Sequence, residues 1–99
     1  MFIIDFAPSV ADDLAELRAF DRTRILDEID EQLSHEPTRE TRNKKVVVGL
    51  AFPWEYEKPA WELRVGEHRV FYDVNDEMGH VTVRAVRHKP SHKTTEEIL

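Results

Sequence analysis

Three runs between residues 61 and 87 constrain this chain more than anything else in it. Residues 61–65, 69–74 and 80–87 each alternate apolar with polar side chains, and they are separated by Gly66-Glu67-His68 and by Asn75-Asp76-Glu77-Met78-Gly79. Alternation with period two marks a strand with one face buried. Connections this short leave no room for a crossover, so the three strands are expected to be antiparallel neighbours. One face should carry Trp61, Leu63 and Val65, then Val70, Tyr72 and Val74, then Val81, Val83 and Ala85. The other carries Glu62, Arg64, Arg69, Phe71, Asp73, Thr82, Arg84 and Val86.

A sheet with one apolar face needs a cover, and the first third of the chain supplies it. Residues 2–6 are apolar strand formers ending before Pro8 and read as a buried first strand. Ser9 stands three residues before Asp12, the spacing of a capping box, and Val10, Leu14 and Leu17 recur at i, i+4 and i+7, which predicts a helix over about 10–20. Asp21 is placed to cap a second helix. There Ile25, Ile29 and Leu33 form the apolar stripe, Asp27, Glu28, Asp30 and Glu31 face water, and the end falls near His35, before Pro37. So short a joint makes the two helices a hairpin. Residues 36–43 read as a loop, 44–48 as a strand, and 49–59, with two prolines, as an extended loop. The expected fold is α+β, ordered β-α-α-β-β-β, with a two-helix hairpin packed on one face of a small, mainly antiparallel twisted sheet. One domain spans 1–99, with 90–99 a loosely packed tail.

Ninety-nine residues suit a single core, a domain of this size burying roughly two-thirds of its unfolded surface. The absence of cysteine excludes disulfides, thiolate metal sites and a thiol nucleophile. The longest apolar stretch, 46–52, is too short to span a bilayer, and Met1-Phe2-Ile3-Ile4-Asp5 lacks the features of a signal peptide, so a cytoplasmic protein with no membrane contact is expected. The net charge of −6 runs against the basic footprint of most nucleic-acid binders, but it is unevenly spread. Residues 1–40 hold eleven Asp/Glu against four Lys/Arg, and residues 41–99 hold nine against ten. Arg84, Arg87, His88, Lys89, His92 and Lys93 form a cationic stretch with no acid among them.

Trp61-Glu62-Leu63-Arg64-Val65-Gly66-Glu67-His68-Arg69-Val70-Phe71-Tyr72, in this order of elements, resembles the RelE/ParE superfamily of toxins from bacterial type II toxin-antitoxin modules. The pattern is an aromatic, Leu-Arg-Val-Gly, an Arg, an aliphatic residue and a closing Tyr. The resemblance implies translation inhibition by ribosome-associated cleavage of messenger RNA, with no metal and no cofactor, the messenger's own 2′-hydroxyl acting as nucleophile. It implies catalytic roles for Arg69 and Lys89, and His88 beside Lys89 is a further catalytic candidate from its own chemistry. It also implies a cognate antitoxin, the ribosome and mRNA as partners, and a link to plasmid stabilisation; a homodimer is left open. The ParE branch, which poisons DNA gyrase without known nuclease chemistry, shares the fold, and a non-catalytic relative kept for partner binding is a further alternative. Ala60 and Glu62 stand where well-known members carry lysines, and Thr94-Thr95-Glu96-Glu97 where some carry a terminal tyrosine.

Each candidate also has a plainer reading. Arg69 offers bidentate donors to phosphate, or pairs with Asp73 or Glu62. Arg64, Arg84 and Arg87 are RNA-binding candidates or members of a solvated face. His88 and His92 are natural proton carriers near neutrality, or part of a solvated tail. They stand with Glu96 at i, i+4 and i+8, but Pro90 forbids the helix that would align a metal site. Trp54 is an exposed contact for a base, or one more aromatic in the loop with Phe52 and Tyr56. Lys44-Lys45 is too short a basic run to carry meaning.

Overall fold

The computed structural model describes residues 1–99. Its elements are β1 (Ile3–Phe6), α1 (Val10–Ala15), α2 (Ala19–Leu33), β2 (Lys44–Val47), β3 (Ala60–Val65), β4 (His68–Asn75) and β5 (His80–His88), followed by a 3-10 turn at Glu96–Ile98. They form the α+β architecture expected: two helices on one face of a five-stranded sheet ordered β1-β5-β4-β3-β2, in which β1 runs parallel to β5 and every other pair is antiparallel. Ile25, Ile29 and Leu33 of α2 are buried against Trp61, Leu63, Val65, Val70, Tyr72, Val81 and Val83, with Val10 of α1 completing the cluster. Each fully buried aliphatic side chain there contributes about 1.5–3 kcal/mol of transfer free energy.

Several boundaries differ from the sequence pattern. Helix α1 ends at Ala15, short of Phe20, and Arg18, with extended backbone at ψ 150°, takes the N-cap position of α2. Asp21 lies inside the first turn of α2, where its charge opposes the positive end of the helix dipole. Ser9 holds the N-cap position of α1 with no side-chain cap bond. The first strand is an edge strand, with Ile3 60% and Phe6 46% exposed, because only one of its sides meets the sheet. The tail returns to the sheet, where Thr95 Oγ1 donates to Glu62 Oε1 at 3.3 Å.

Alternation breaks inside β5. Phe71 pairs with Ala85 and Tyr72 with Val83, leaving Arg84 as the extra residue of a β-bulge. Two consecutive residues then share a face and the phase reverses beyond them. Val86, not Ala85, therefore joins the helix-side core. The bulged Arg84 is held on the outer face by Asp73, with Nε–Oδ2 at 2.7 Å and Nη2–Oδ1 at 3.2 Å. Asp73 also accepts the Glu57 N–H at 3.1 Å, which ties down the 49–59 loop. That loop lays Phe52 and Trp54 against Phe71, with ring centroids 5.7 and 5.5 Å apart, and Tyr56 edges onto Phe52. Part of the outer face is thus a second small apolar layer.

Two polar anchors tie the helices to β2 and β4. Lys44 is buried, and its ammonium donates to the carbonyls of Gln32 and Glu36 at 3.1 and 2.8 Å, satisfying acceptors at the C-terminal end of α2. Tyr72 donates its phenol to the Pro37 carbonyl at 2.6 Å, and burial raises that phenol's pKa. The lysine that read as incidental is a helix cap.

Candidate functional site

The β3–β4 hairpin turns through Gly66 and Glu67, and Gly66 takes a φ of +59°, the left-handed conformation that the first position of a type II′ turn requires. The turn is one residue shorter than the pattern suggested. His68 therefore opens β4 and sits directly opposite His88, with the imidazole centroids 5.3 Å apart. The bulge matters here, because the reversed phase of β5 turns His88 to the side that His68 occupies.

One position further along, Arg64 is paired with Arg69 and Arg69 with Arg87 across three strands. Like charges placed directly opposite are destabilising, and the three are compensated unequally. Arg87 donates to Asp13 Oδ2 at 2.9 Å, its guanidinium lying 5.2 Å from the Trp54 ring centroid. The same carboxylate oxygen accepts the Val86 N–H at 3.0 Å, on the stretch of β5 that β1 is too short to cover. Arg69 is 7% exposed. Its Nη1 donates to the carbonyls of Gly66 and His68 at 3.0 and 2.9 Å, and its Nε lies 3.9 Å from Glu62. Burial lowers its pKa, with Glu62 opposing that shift and Arg64 adding to it, yet an arginine here stays charged at any working pH. Arg64 is exposed and has neither an acid partner nor a side-chain hydrogen bond.

These groups open into a cleft of about 930 Å³ between the end of the sheet and the α1–α2 joint. Glu16, Leu17, Arg18, Asp21 and Arg24 line it from the helices, Arg64, Gly66, Glu67, His68 and Arg69 from the hairpin, and His88, Lys89 and Ser91 from the end of β5, leaving Leu17 as its one apolar residue. Five Lys/Arg face three Asp/Glu, so the wall is cationic before either histidine is counted, although the chain carries −6. Arg24 lies over the turn so closely that a Cβ on Gly66 would come within 3.0 Å of its Nη1. The Lys89 N–H donates to the Glu67 carbonyl at 2.6 Å, which holds the lysine at the cleft. Burial lowers the pKa of His68, and the charge of His88 lowers it further. His88 Nε2 stands 3.5 Å from Glu67 Oε1. The cleft can thus bind an anionic group through Arg24, Arg64, Arg69 and Lys89 and can offer it a neutral imidazole beside a second one. No three His, Asp or Glu side chains are grouped as a metal site requires.

Of the residues singled out in the sequence, Arg69, Lys89, His88 and Arg64 come together in this cleft. Arg84 is engaged by Asp73 and Arg87 by Asp13. Trp54 packs into the aromatic layer and is not a free-standing contact, and neither it nor His92 lines the cleft. His68, Arg24 and Arg18 were missed. His68 was legible from the two-residue Gly-Glu turn, whereas the helix arginines depend on where α2 crosses the sheet, for which the sequence has no signal.

Residues 4–90 match the family described as the ParE toxin of type II toxin-antitoxin systems, parDE. The chain belongs to the ParE toxin family. Solved structures with the same fold include the isolated RelE toxin of Escherichia coli (19% identity, 98% of this chain and 94% of that one, TM-score 0.71). The archaeal RelE–RelB complex of Pyrococcus horikoshii OT3 is similar at 20% identity, with 94% and 98% covered and a TM-score of 0.70. The RelBE2 toxin-antitoxin complex of Mycobacterium tuberculosis is similar at 24% identity, with 89% and 98% covered and a TM-score of 0.65. The ParE-family chain has no significant sequence match among curated proteins. No helix in it is long and apolar enough to cross a membrane.

Proposed function

We propose that this ParE-family toxin arrests growth by cleaving RNA in the cationic cleft, and that a cognate antitoxin restrains it. The observation that carries the reading is the arginine row beside the paired imidazoles: an acidic protein sets Arg64 directly against Arg69, at a cost in stability, next to two groups able to carry protons near neutrality. In the reaction proposed, the scissile phosphate lies against Arg64, Arg69 and Lys89. One imidazole takes the proton of the adjacent 2′-hydroxyl, whose oxygen attacks phosphorus. The other histidine, protonated, gives its proton to the departing 5′-oxygen, leaving a 2′,3′-cyclic phosphate. His68, held toward its neutral form by burial, suits the base, and His88, beside Glu67, suits the acid. Preorganised cations at the phosphate are worth about two to three orders of magnitude in rate apiece.

Controlled expression in a bacterium with mapping of messenger 5′ ends tests the reading. Growth arrest with new ends, lost together in a His68→Gln, His88→Gln double variant, is the expected result. Normal growth with intact messages would overturn it. The match to the ParE family supports a second reading, a gyrase-directed inhibitor, which loss of supercoiling with messages untouched would select. For the antitoxin, support comes from relatives solved as toxin-antitoxin complexes and from the surface of this chain. Phe6 and Leu26 are exposed beside Asp30 on the acidic face of α2, which suits a basic amphipathic segment that folds on contact. Co-purification of the neighbouring gene product with this chain is expected; a monomer indifferent to it would count against the pairing.

A further inference from the structure

Six of the fourteen Lys and Arg residues have neither an acid partner nor a side-chain hydrogen bond: Arg24, Arg42, Lys58, Arg64, Lys89 and Lys93. Three of them line the cleft already described. Arg42 does not. It lines a separate pocket of about 220 Å³ at the start of β2, with no hydrophobic wall residue, and this pocket shares Arg64, Arg69 and Lys89 with the cleft. Lys45 stands at its other end, 64% exposed and 3.7 Å from Glu62. Five cations thus surround one carboxylate, Glu62, which is held by the Thr95 hydroxyl at 3.3 Å. The sheet sets the spacing. Lys45 pairs with Glu62, and the Arg64 N–H donates to the Asn43 carbonyl at 2.7 Å, so the Glu62 carboxylate stands between the two sets of cations, with Lys45 Nζ 3.7 Å from one of its oxygens and Arg69 Nε 3.9 Å from the other. That carboxylate, itself an anion, keeps one phosphate from bridging both ends.

We infer that Arg42 and Lys45 form a second phosphate subsite, so that the ligand is a single strand of RNA with at least two phosphodiesters, one held in the cleft and the next over β2. The inference rests on the RNA reading proposed above and extends it. The small volume of the pocket fits one sugar-phosphate backbone and not a duplex. Continuity through Arg64, Arg69 and Lys89 makes the two pockets one furrow that runs from the α1–α2 joint round the sheet end to its outer face.

The test uses the full chain and a fluorescein-labelled 2′-O-methyl RNA pentanucleotide, which lacks the 2′-hydroxyl nucleophile and cannot be cleaved. Polarisation is measured across a salt series. In parallel, the 2′-O-methyl dinucleotide UpU, with one phosphodiester, is followed by NMR at His68 and His88. Arg42 is exposed and unpaired and Lys45 is mostly exposed, so an Arg42→Ala, Lys45→Ala variant is expected to fold as the parent does. It should bind the pentanucleotide at least tenfold more weakly, with a salt slope smaller by about 0.7 per lost phosphate contact, while UpU affinity stays within twofold. An Arg42→Lys, Lys45→Arg variant should keep the parental slope. Pentanucleotide affinity and slope unchanged in the alanine variant, or UpU weakened as much as the pentanucleotide, would overturn the second subsite and leave the cleft reading standing. A parent chain that binds neither probe would overturn both.

Discussion

Arg64→Thr separates a residue held for a ligand from one held for the fold. Arg64 is exposed, carries no partner, and faces Arg69 directly across the β3–β4 ladder. Threonine keeps strand propensity, so the backbone preference is not disturbed. What the exchange removes is a like-charge opposition worth roughly 0.2–1 kcal/mol. For a domain of this size each kcal/mol moves Tm by about 4–8 °C, so the variant should melt about 1–8 °C higher than the parent. If Arg64 meets the scissile phosphate, the same change removes a charge-assisted hydrogen bond of about 1.5–3 kcal/mol, which is about tenfold or more in oligonucleotide affinity, and growth inhibition should disappear. Differential scanning calorimetry at low salt, polarisation binding and plating after induced expression read the three quantities. A variant that melts lower than the parent would refute the repulsion argument. One that stays fully inhibitory would remove Arg64 from the site.

Arg69→Ala should behave differently, because it strips two carbonyl acceptors and buried Glu62 of their guanidinium; a loss of roughly 2–3 kcal/mol by urea denaturation is expected along with loss of inhibition, and a parental midpoint would show the guanidinium to be dispensable to the fold. Lys44→Met should cost about 2–3 kcal/mol by leaving the Gln32 and Glu36 carbonyls without their donor, with helix content by circular dichroism falling early in the melt; an unchanged midpoint would refute the capping role. Folding depresses the pKa of His68 below its ordinary 6.5, so the unfolded chain takes up protons first. This contribution to stability is therefore fully present above about pH 6.5 and is lost as pH falls through that value towards the folded pKa. A His68→Gln variant should show a flatter stability profile between about pH 5 and 7, and an identical slope would contradict the burial argument.

The architecture was legible because the information is periodic. Alternation over residues 61–87 defined three strands, and Ile25, Ile29 and Leu33 at helical spacing defined the helix that covers them. Half of the cleft followed, since Arg64 and Arg69 are placed on one face by counting. The rest depends on departures from period. One extra residue at Arg84 moved Val86 into the core and Ala85 out of it, and nothing in the local sequence marks a bulge. The neutralisation of Arg84 by Asp73 and of Arg87 by Asp13 brings together residues 11 and 74 positions apart, and such pairings are set by packing and not by spacing. Lys44 was discounted as part of a short basic run because its role depends on where the end of α2 comes to rest.

The bulge has a bearing on which changes this fold can absorb. Substituting Arg84 leaves the two-against-one count of the strand pair intact, so the residues beyond it keep their sides. Deleting it restores strict pairing with Val83, Ala85, Val86 and His88 still opposite Tyr72, Phe71, Val70 and His68, so only the ion pair with Asp73 is lost. One codon lost at this point would leave the core and the cleft in register, as would the same loss in the 49–59 loop, which pairs with no strand. Drift within this family should therefore tolerate the presence or absence of the bulged residue, while Val81 and Val83 beside it, fully buried, stay apolar.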